Sequence, residues 1–200
     1  VTDAPRFVVD PARATEDVAM ALLGATLHVL APDGTHVAGR IVETEAYLGL
    51  DDPACHSFHG RRTPRVASLY LPAGHAYVYR SYGVHWCLNV VTREEDRPEA
   101  VLIRAVRPEV GLPAMRARRG ERVADVDLAR GPGNLTRAFG IDGTHDGVRL
   151  DRGSTWIVEA PSALGAVAVG PRIGLGPTNP ARDWPLRYWL RDEPFVSRRR

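Results

Sequence analysis

Short runs rich in β-branched and aromatic residues recur along this chain, each closed off by Gly, Pro, Asn or Asp, and helical stretches do not alternate regularly with them. Residues 25–30 and 36–48 flank Pro32-Asp33-Gly34, a turn signal, and predict a hairpin. Residues 76–79 and 84–91, joined through Arg80-Ser81-Tyr82-Gly83, predict a second hairpin, and 100–106 a further strand. Later strands are expected at 148–150, 155–158, 166–173 and 186–190. Asp10-Pro11 reads as an N-cap followed by proline in the first turn, opening a helix that runs to Leu23 and stops at Gly24. Residues 109–119 read as a second helix, and 134–139 as a short one opened by Gly131-Pro132-Gly133 and closed by Gly140. Residues 49–67 have no period and are rich in Gly, Pro, His and Arg, so they predict a long ordered loop, which in a compact domain is usually functional. Strands outnumber helices without βαβ alternation, and that pattern is α+β with a largely antiparallel sheet.

A chain of 200 residues, 44% hydrophobic and 25% charged, suits one soluble domain spanning residues 1–200. No stretch approaches the eighteen or so apolar residues of a membrane span. The best N-terminal apolar run, 18–23, follows Glu16 and Asp17 and lacks a basic n-region, so it does not read as a signal peptide. The two cysteines, Cys55 and Cys87, are too few for a disulfide framework and have no metal-ligand spacing. A cytoplasmic chain with no cofactor or metal is the expectation. Residues 1–100 hold 9 Arg against 13 acids, and residues 101–200 hold 17 Arg against 11, an asymmetry that suggests a polyanionic partner. There is no lysine, and Arg stays protonated, so no side chain can act as an amine nucleophile.

Strand periodicity places chemistry on particular faces. In residues 40–47, Glu43, Glu45 and Tyr47 project together while Val42, Thr44 and Ala46 face the other way. From spacing alone a solvated, charge-alternating face is the ordinary reading. The other reading is a carboxylate that activates water beside an aromatic that stacks on a flat ring. Tyr77 and Tyr79 share a face of the second hairpin, and Tyr82 falls at its turn. An exposed aromatic at a hairpin tip can wedge between base pairs, with Arg80 beside it for a phosphate, or the tyrosines can cover a core edge.

Taken together, the stretches Arg-Ile-Val-Glu-Thr-Glu-Ala-Tyr-Leu-Gly, Ala-Cys-His-Ser, Arg-Thr-Pro-Arg, Ala-Tyr-Val-Tyr-Arg-Ser-Tyr-Gly and Leu-Ile-Arg-Ala-Val-Arg-Pro within residues 40–108 resemble the alkyladenine (3-methyladenine, or methylpurine) DNA glycosylase family. Gly131-Pro132-Gly133-Asn134-Leu135, Arg172-Ile173-Gly174-Leu175-Gly176 and Pro185-Leu186-Arg187-Tyr188-Trp189 continue the resemblance from about residue 15 onward, with residues 1–14 poorly matched and 195–200 expected as a frayed tail. The resemblance implies a curved sheet with flanking helices and a protruding, DNA-inserting hairpin. It implies a monofunctional glycosylase that flips alkylated or deaminated purines from damaged double-stranded DNA and hydrolyses their N-glycosidic bonds, acting as a monomer with no membrane partner. By this resemblance Glu45 is the general base, and Arg104 and the Ile173 backbone hold the attacking water. Tyr47 and His56 stack on one side of the flipped base and Tyr79 on the other; Asn89 excludes the 2-amino group of guanine; Tyr82 intercalates. Arg80 and Arg65 are candidate phosphate contacts. Arg80 and Ser81 stand where the family has apolar residues, and Val84-His85 replace a larger apolar–aromatic pair. A non-catalytic lesion-binding protein on the same scaffold is the alternative, and retention of Glu45 and Arg104 argues against it.

Overall fold

The computed structural model describes residues 6–160 and 165–197. Eight strands form one curled, wholly antiparallel sheet: β1 (Thr26–Leu30), β2 (His36–Tyr47), β3 (Ala76–Ser81), β4 (His85–Val91), β5 (Ala100–Val110), β6 (Thr155–Val158), β7 (Val167–Gly170) and β8 (Arg187–Leu190). Six of them run in the order β3-β4-β5-β2-β1-β6, and off this path β8 pairs with both β2 and β7. The long strand β2 organises the rest. One edge pairs with β5 along its length, and the other pairs with β1 through residue 40 and with β8 at Glu43, Thr44 and Glu45. Register shifts at Ala38/Gly39, Ile41/Glu43 and Glu43/Thr44 bend β2, as bulges do, and allow this change of partner. At Gly39 a Cβ would stand 2.4 Å from the Arg107 carbonyl oxygen, so only glycine permits the strands to approach there.

Helices α1 (Arg6–Val9), α2 (Thr15–Ala21), α3 (Leu112–Arg119), α4 (Asp125–Leu128) and α5 (Pro132–Phe139) flank the sheet. Val18, Ala19, Leu22 and Leu23 from the first helical region join Leu135, Ala138 and Phe139 of α5 in the main core, with Ile41, Val42, Ala46 and Ile103 from the sheet. Removing this apolar surface from water is the dominant favourable term in folding. No described helix is long and apolar enough to cross a membrane.

Several expected boundaries move. The helix expected from Asp10-Pro11 begins instead at Thr15, because the Asp10 carboxylate accepts from the Ala12 amide and closes a local turn there. Glu109 and Val110 belong to β5; the chain turns at Gly111, where φ is 78°, before α3 starts. Residues 148–150 form no strand, only an isolated bridge between His75 and Arg149, and β7 covers the middle of its expected range. Residues 49–67 are ordered by 3-10 turns at Gly49–Asp51, Phe58–Gly60 and Pro64–Tyr70. Residues 195–197, expected as part of a frayed tail, are docked: Phe195 and Val196 pack on the core and Ser197 bonds Glu43. Residues 1–5 and the terminal 198–200 lie outside the described residues.

Candidate active site

The chemistry gathers where β2 exchanges β1 for β8. Val42 and Ala46 enter the core and Thr44 donates its hydroxyl to the Ala19 carbonyl, so period-two alternation sends Glu43, Glu45 and Tyr47 to the opposite face. That face is not solvated, since Glu43 and Glu45 are fully buried. On the neighbouring β5, Arg104 reaches both carboxylates: Nη1 donates to Glu45 Oε2 at 3.3 Å, and Nε lies 3.4 Å from Glu43 Oε1. Arg187 Nε donates to Glu43 Oε1 at 2.5 Å, and Ser197 donates its amide and hydroxyl to the two oxygens of Glu43 at 2.7 and 2.8 Å. Arg104 Nε also donates to Ser197 Oγ at 3.2 Å. Two carboxylates thus face two guanidiniums, a balance that burial demands because an unpaired buried charge is strongly destabilising. Burial pulls the Arg104 pKa down, but Glu45 and Glu43 outweigh it and raise it overall, so the guanidinium stays charged.

Glu45 receives two further donors. The Ile173 amide donates to Oε1 at 2.7 Å and the Tyr47 hydroxyl to Oε2 at 3.0 Å. Tyr47, Arg104 and Ile173 all line a pocket of about 550 Å³, and the carboxylate stands directly behind them. Arg104 and Ile173 both bond the Glu45 carboxylate.

The rest of the pocket is aromatic. The Tyr77 and Tyr79 rings stack at 5.2 Å between centroids, and His56 abuts Tyr79 edge-on at 4.5 Å while its Nδ1 lies 2.8 Å from the Tyr77 hydroxyl. His56 and Tyr79 are thus direct neighbours in the pocket lining, which Tyr47 shares. The His56 pKa is lowered, first by desolvation and then by Arg65 and Arg61, so the ring is neutral near pH 7. Burial pushes the Tyr77 and Tyr79 phenols well above their ordinary value, which keeps them as O–H donors. Asn89, 4% exposed, donates Nδ2 to the Tyr77 carbonyl at 2.9 Å and lines the pocket. The volume lies in the range of about 300–1,000 Å³ typical of small-ligand sites, ample for a purine.

The β3–β4 hairpin forms the pocket's rim. Tyr82 at its tip is 92% exposed and adopts φ 48°, followed by Gly83 at φ 70°. Arg65 and Arg80 are exposed; Arg65 donates to the Arg80 carbonyl at 2.8 Å, and the Arg80 guanidinium lies over the Trp86 ring at 5.6 Å. An adjoining groove of about 860 Å³ shares Ser81, Tyr82, Cys87 and Arg104 with the pocket and adds His85, Asn134, Arg182 and Arg187. Among the described residues no group of three His, Cys, Asp or Glu side chains is placed to hold a metal ion.

Sequence reasoning assigned no role to Glu43's partners Arg187 and Ser197, or to Asp52 and Arg172. Asp52 and Arg172 form a fully buried ion pair, with Nη1 and Nη2 on the two carboxylate oxygens at 2.5 and 2.8 Å. Burial pushes the Asp52 carboxyl up, but hydrogen bonds from Arg172 and from the Ala54 and Leu48 amides together hold it below the usual range. Arg172 and Arg187 fall inside the stretches that carry the resemblance, and Arg172 stands next to Ile173, which was the available signal.

A ring-lined pocket backed by a buried, hydrogen-bonded carboxylate and set in a curled antiparallel sheet has room for a flat heterocycle. The family model for Methylpurine-DNA glycosylase (MPG) matches residues 10–194. A protein of Bdellovibrio bacteriovorus named "Putative 3-methyladenine DNA glycosylase" is 45% identical over 187 residues, covering 91% of this chain and 93% of its own. Proteins of the same name from Rhodopseudomonas palustris and Salinibacter ruber are 47% and 46% identical, covering 94% and 92% of this chain and 88% and 92% of their own. The chain belongs to the methylpurine-DNA glycosylase family, DNA glycosylases of alkylation-damage repair.

Proposed function

We propose that this chain is a monofunctional glycosylase that extrudes a damaged purine from duplex DNA into the aromatic pocket and hydrolyses its N-glycosidic bond. The observation that carries this reading is Glu45, fully buried yet bonded by three groups that line the pocket. A carboxylate oxygen has two lone-pair sites, and Oε1 accepts only the Ile173 amide, so it keeps a site for a proton from water. The water oxygen bonds the sugar carbon C1′, its proton passes to Glu45, and the C1′–N bond breaks with its electron pair leaving on the purine. Purines alkylated at N3 or N7 are cationic and leave as neutral bases, so one carboxylate suffices where glycosidases use two. Their charge also favours stacking on the electron-rich faces of Tyr47 and Tyr79.

Extrusion costs roughly a few kcal/mol of stacking and pairing, which insertion of Tyr82 offsets. Asn89 clashes with the 2-amino group and so disfavours undamaged guanine, whereas 7-methylguanine, which carries the same group, is still released because its cationic base leaves readily; exposed Arg65 and Arg80 meet phosphates of the flanking backbone. The substrate range is 3-methyladenine and 7-methylguanine, with hypoxanthine and ethenoadenine as neutral members. The enzyme works as a monomer in the cytoplasm, on damaged double-stranded DNA.

Glu45→Gln tests the reading. The amide is nearly isosteric but cannot take a proton, so single-turnover excision should fall by about a thousandfold or more while lesion binding persists. Excision by the variant near the wild-type rate would remove Glu45 from this role. Lesion binding by the wild type without any base release would favour the non-catalytic alternative.

A further inference from the structure

Arg172 lies where three segments of the site meet. Its Nη1 and Nη2 clasp Asp52, and Nη1 also donates to the Ala46 carbonyl at 2.9 Å. Its guanidinium carbon lies 4.6 Å from the centre of the Tyr47 ring, and the next residue supplies the amide that holds Glu45. Asp52 in turn accepts from the Leu48 and Ala54 amides at 3.0 and 2.9 Å, which fixes the start of the segment that carries His56. The end of β2, the 49–57 segment and the 171–174 segment are therefore joined through one planar group. A stability role alone explains this poorly. A buried ion pair contributes little compared with well-packed apolar residues, and the buried Nε of Arg172 has no hydrogen-bond partner among the described residues.

We propose that Arg172 is a positioning residue for base excision, holding the Tyr47 ring and the Ile173 amide in one fixed relation so that stacking of the base and orientation of Glu45 are set together. The inference rests on the roles given above to Glu45 and Tyr47. Asp52 is essential to the arrangement because it neutralises the guanidinium. A cationic purine on the pocket face of Tyr47 then meets no net charge across the ring, and the ring's affinity for a cation is kept. Arg172 touches neither the base nor the water in this scheme; it acts through Tyr47 and through the backbone that presents Ile173.

The test compares wild type, Arg172→Gln and Arg172→Lys on a duplex carrying 7-methylguanine and on one carrying a tetrahydrofuran abasic analogue. Glutamine loses the charge, the bidentate clasp and the stack; lysine keeps only the charge. A displacement of about 1 Å at a reacting centre is worth about a hundredfold, so the saturating single-turnover rate should fall about ten- to a hundredfold in Arg172→Gln and less in Arg172→Lys. Binding of the abasic duplex, which offers no base to stack, should be unchanged. In Arg172→Lys the Ile173 amide proton resonance should move upfield as its bond to Glu45 lengthens, while amides of β1 and β6 stay in place. Should Arg172→Gln fail to fold, the lysine variant and its amide spectrum decide alone. Wild-type excision in a folded variant, parallel loss of excision and abasic binding, or an unmoved Ile173 resonance would each overturn the proposal. A wild-type protein that releases no 7-methylguanine would instead overturn the reading of the site on which it rests.

Discussion

Asn89 is held by its amide nitrogen to the Tyr77 carbonyl, which leaves its oxygen as the group free to face a bound base. Exclusion of a 2-amino group by such a side chain is a matter of shape, so truncation should relax it and not weaken binding of proper lesions. Asn89→Ala is expected to release guanine from mismatched duplexes where wild type releases none, and chromatography of the freed bases would show it. His56 gives a pH dependence. Its folded pKa lies below 6.5, so as pH falls through the interval between 6.5 and that lower value the unfolded chain binds a proton that the folded chain refuses. Stability therefore rises with pH across this interval and declines on acidification. NMR titration of the His56 ring should find its midpoint below 6.5, and a midpoint at or above that value would contradict the assigned environment. At this scale Glu45, Tyr47, Tyr79 and Tyr82 were singled out by the family resemblance, since the strand period sets which side chains share a face but leaves a solvated face as the ordinary reading. The sequence did not show that Asp52 pairs with Arg172 or Glu43 with Arg187, since those partners are 120 and 144 residues apart and no local spacing records them.

The β3–β4 hairpin was legible from alternation and from Tyr82-Gly83, but its strain was not. A tyrosine in the left-handed region costs on the order of 1–3 kcal/mol, and positive φ values at both Tyr82 and Gly83 match the primed turns that suit a hairpin's twist. Tyr82→Gly should therefore keep or raise the melting temperature while lowering excision from duplex DNA much more than from single strands. Equal losses on the two substrates would show that Tyr82 does not serve insertion. Other elements were misread for local reasons. Asp10 uses its carboxylate in a turn and caps no long helix, and residues 109–110 continue β5 because only at Gly111 can the backbone pass close to His36, where a Cβ would stand 2.4 Å from the carbonyl oxygen. The bulges of β2 could not be read from alternation, and they let Glu43 and Glu45 share one edge with β8.

For the molecule as a whole, the absence of lysine bears on the product. Strand cleavage by a glycosylase requires an amine that attacks the sugar carbon, and 26 basic residues that are all arginine supply none. An intact abasic site is the expected product, and borohydride treatment during turnover should trap no covalent protein–DNA adduct; an adduct would point to the amino terminus. The molecule's connectivity has a consequence for when it becomes active. Glu43 is tied to Ser197 across 154 residues, Glu45 to Ile173 across 128 and to Arg104 across 59. Contacts of such long separation form late, after loop-closure entropy has been met. A ribosome-bound or prematurely terminated chain can carry Glu45, the tyrosines and the hairpin, yet it has neither the Ile173 amide nor the Ser197 clasp behind Arg104. A chain that stops short of these residues therefore presents no finished site, and the carboxylates have their full set of partners only once residues 173 and 197 are in place.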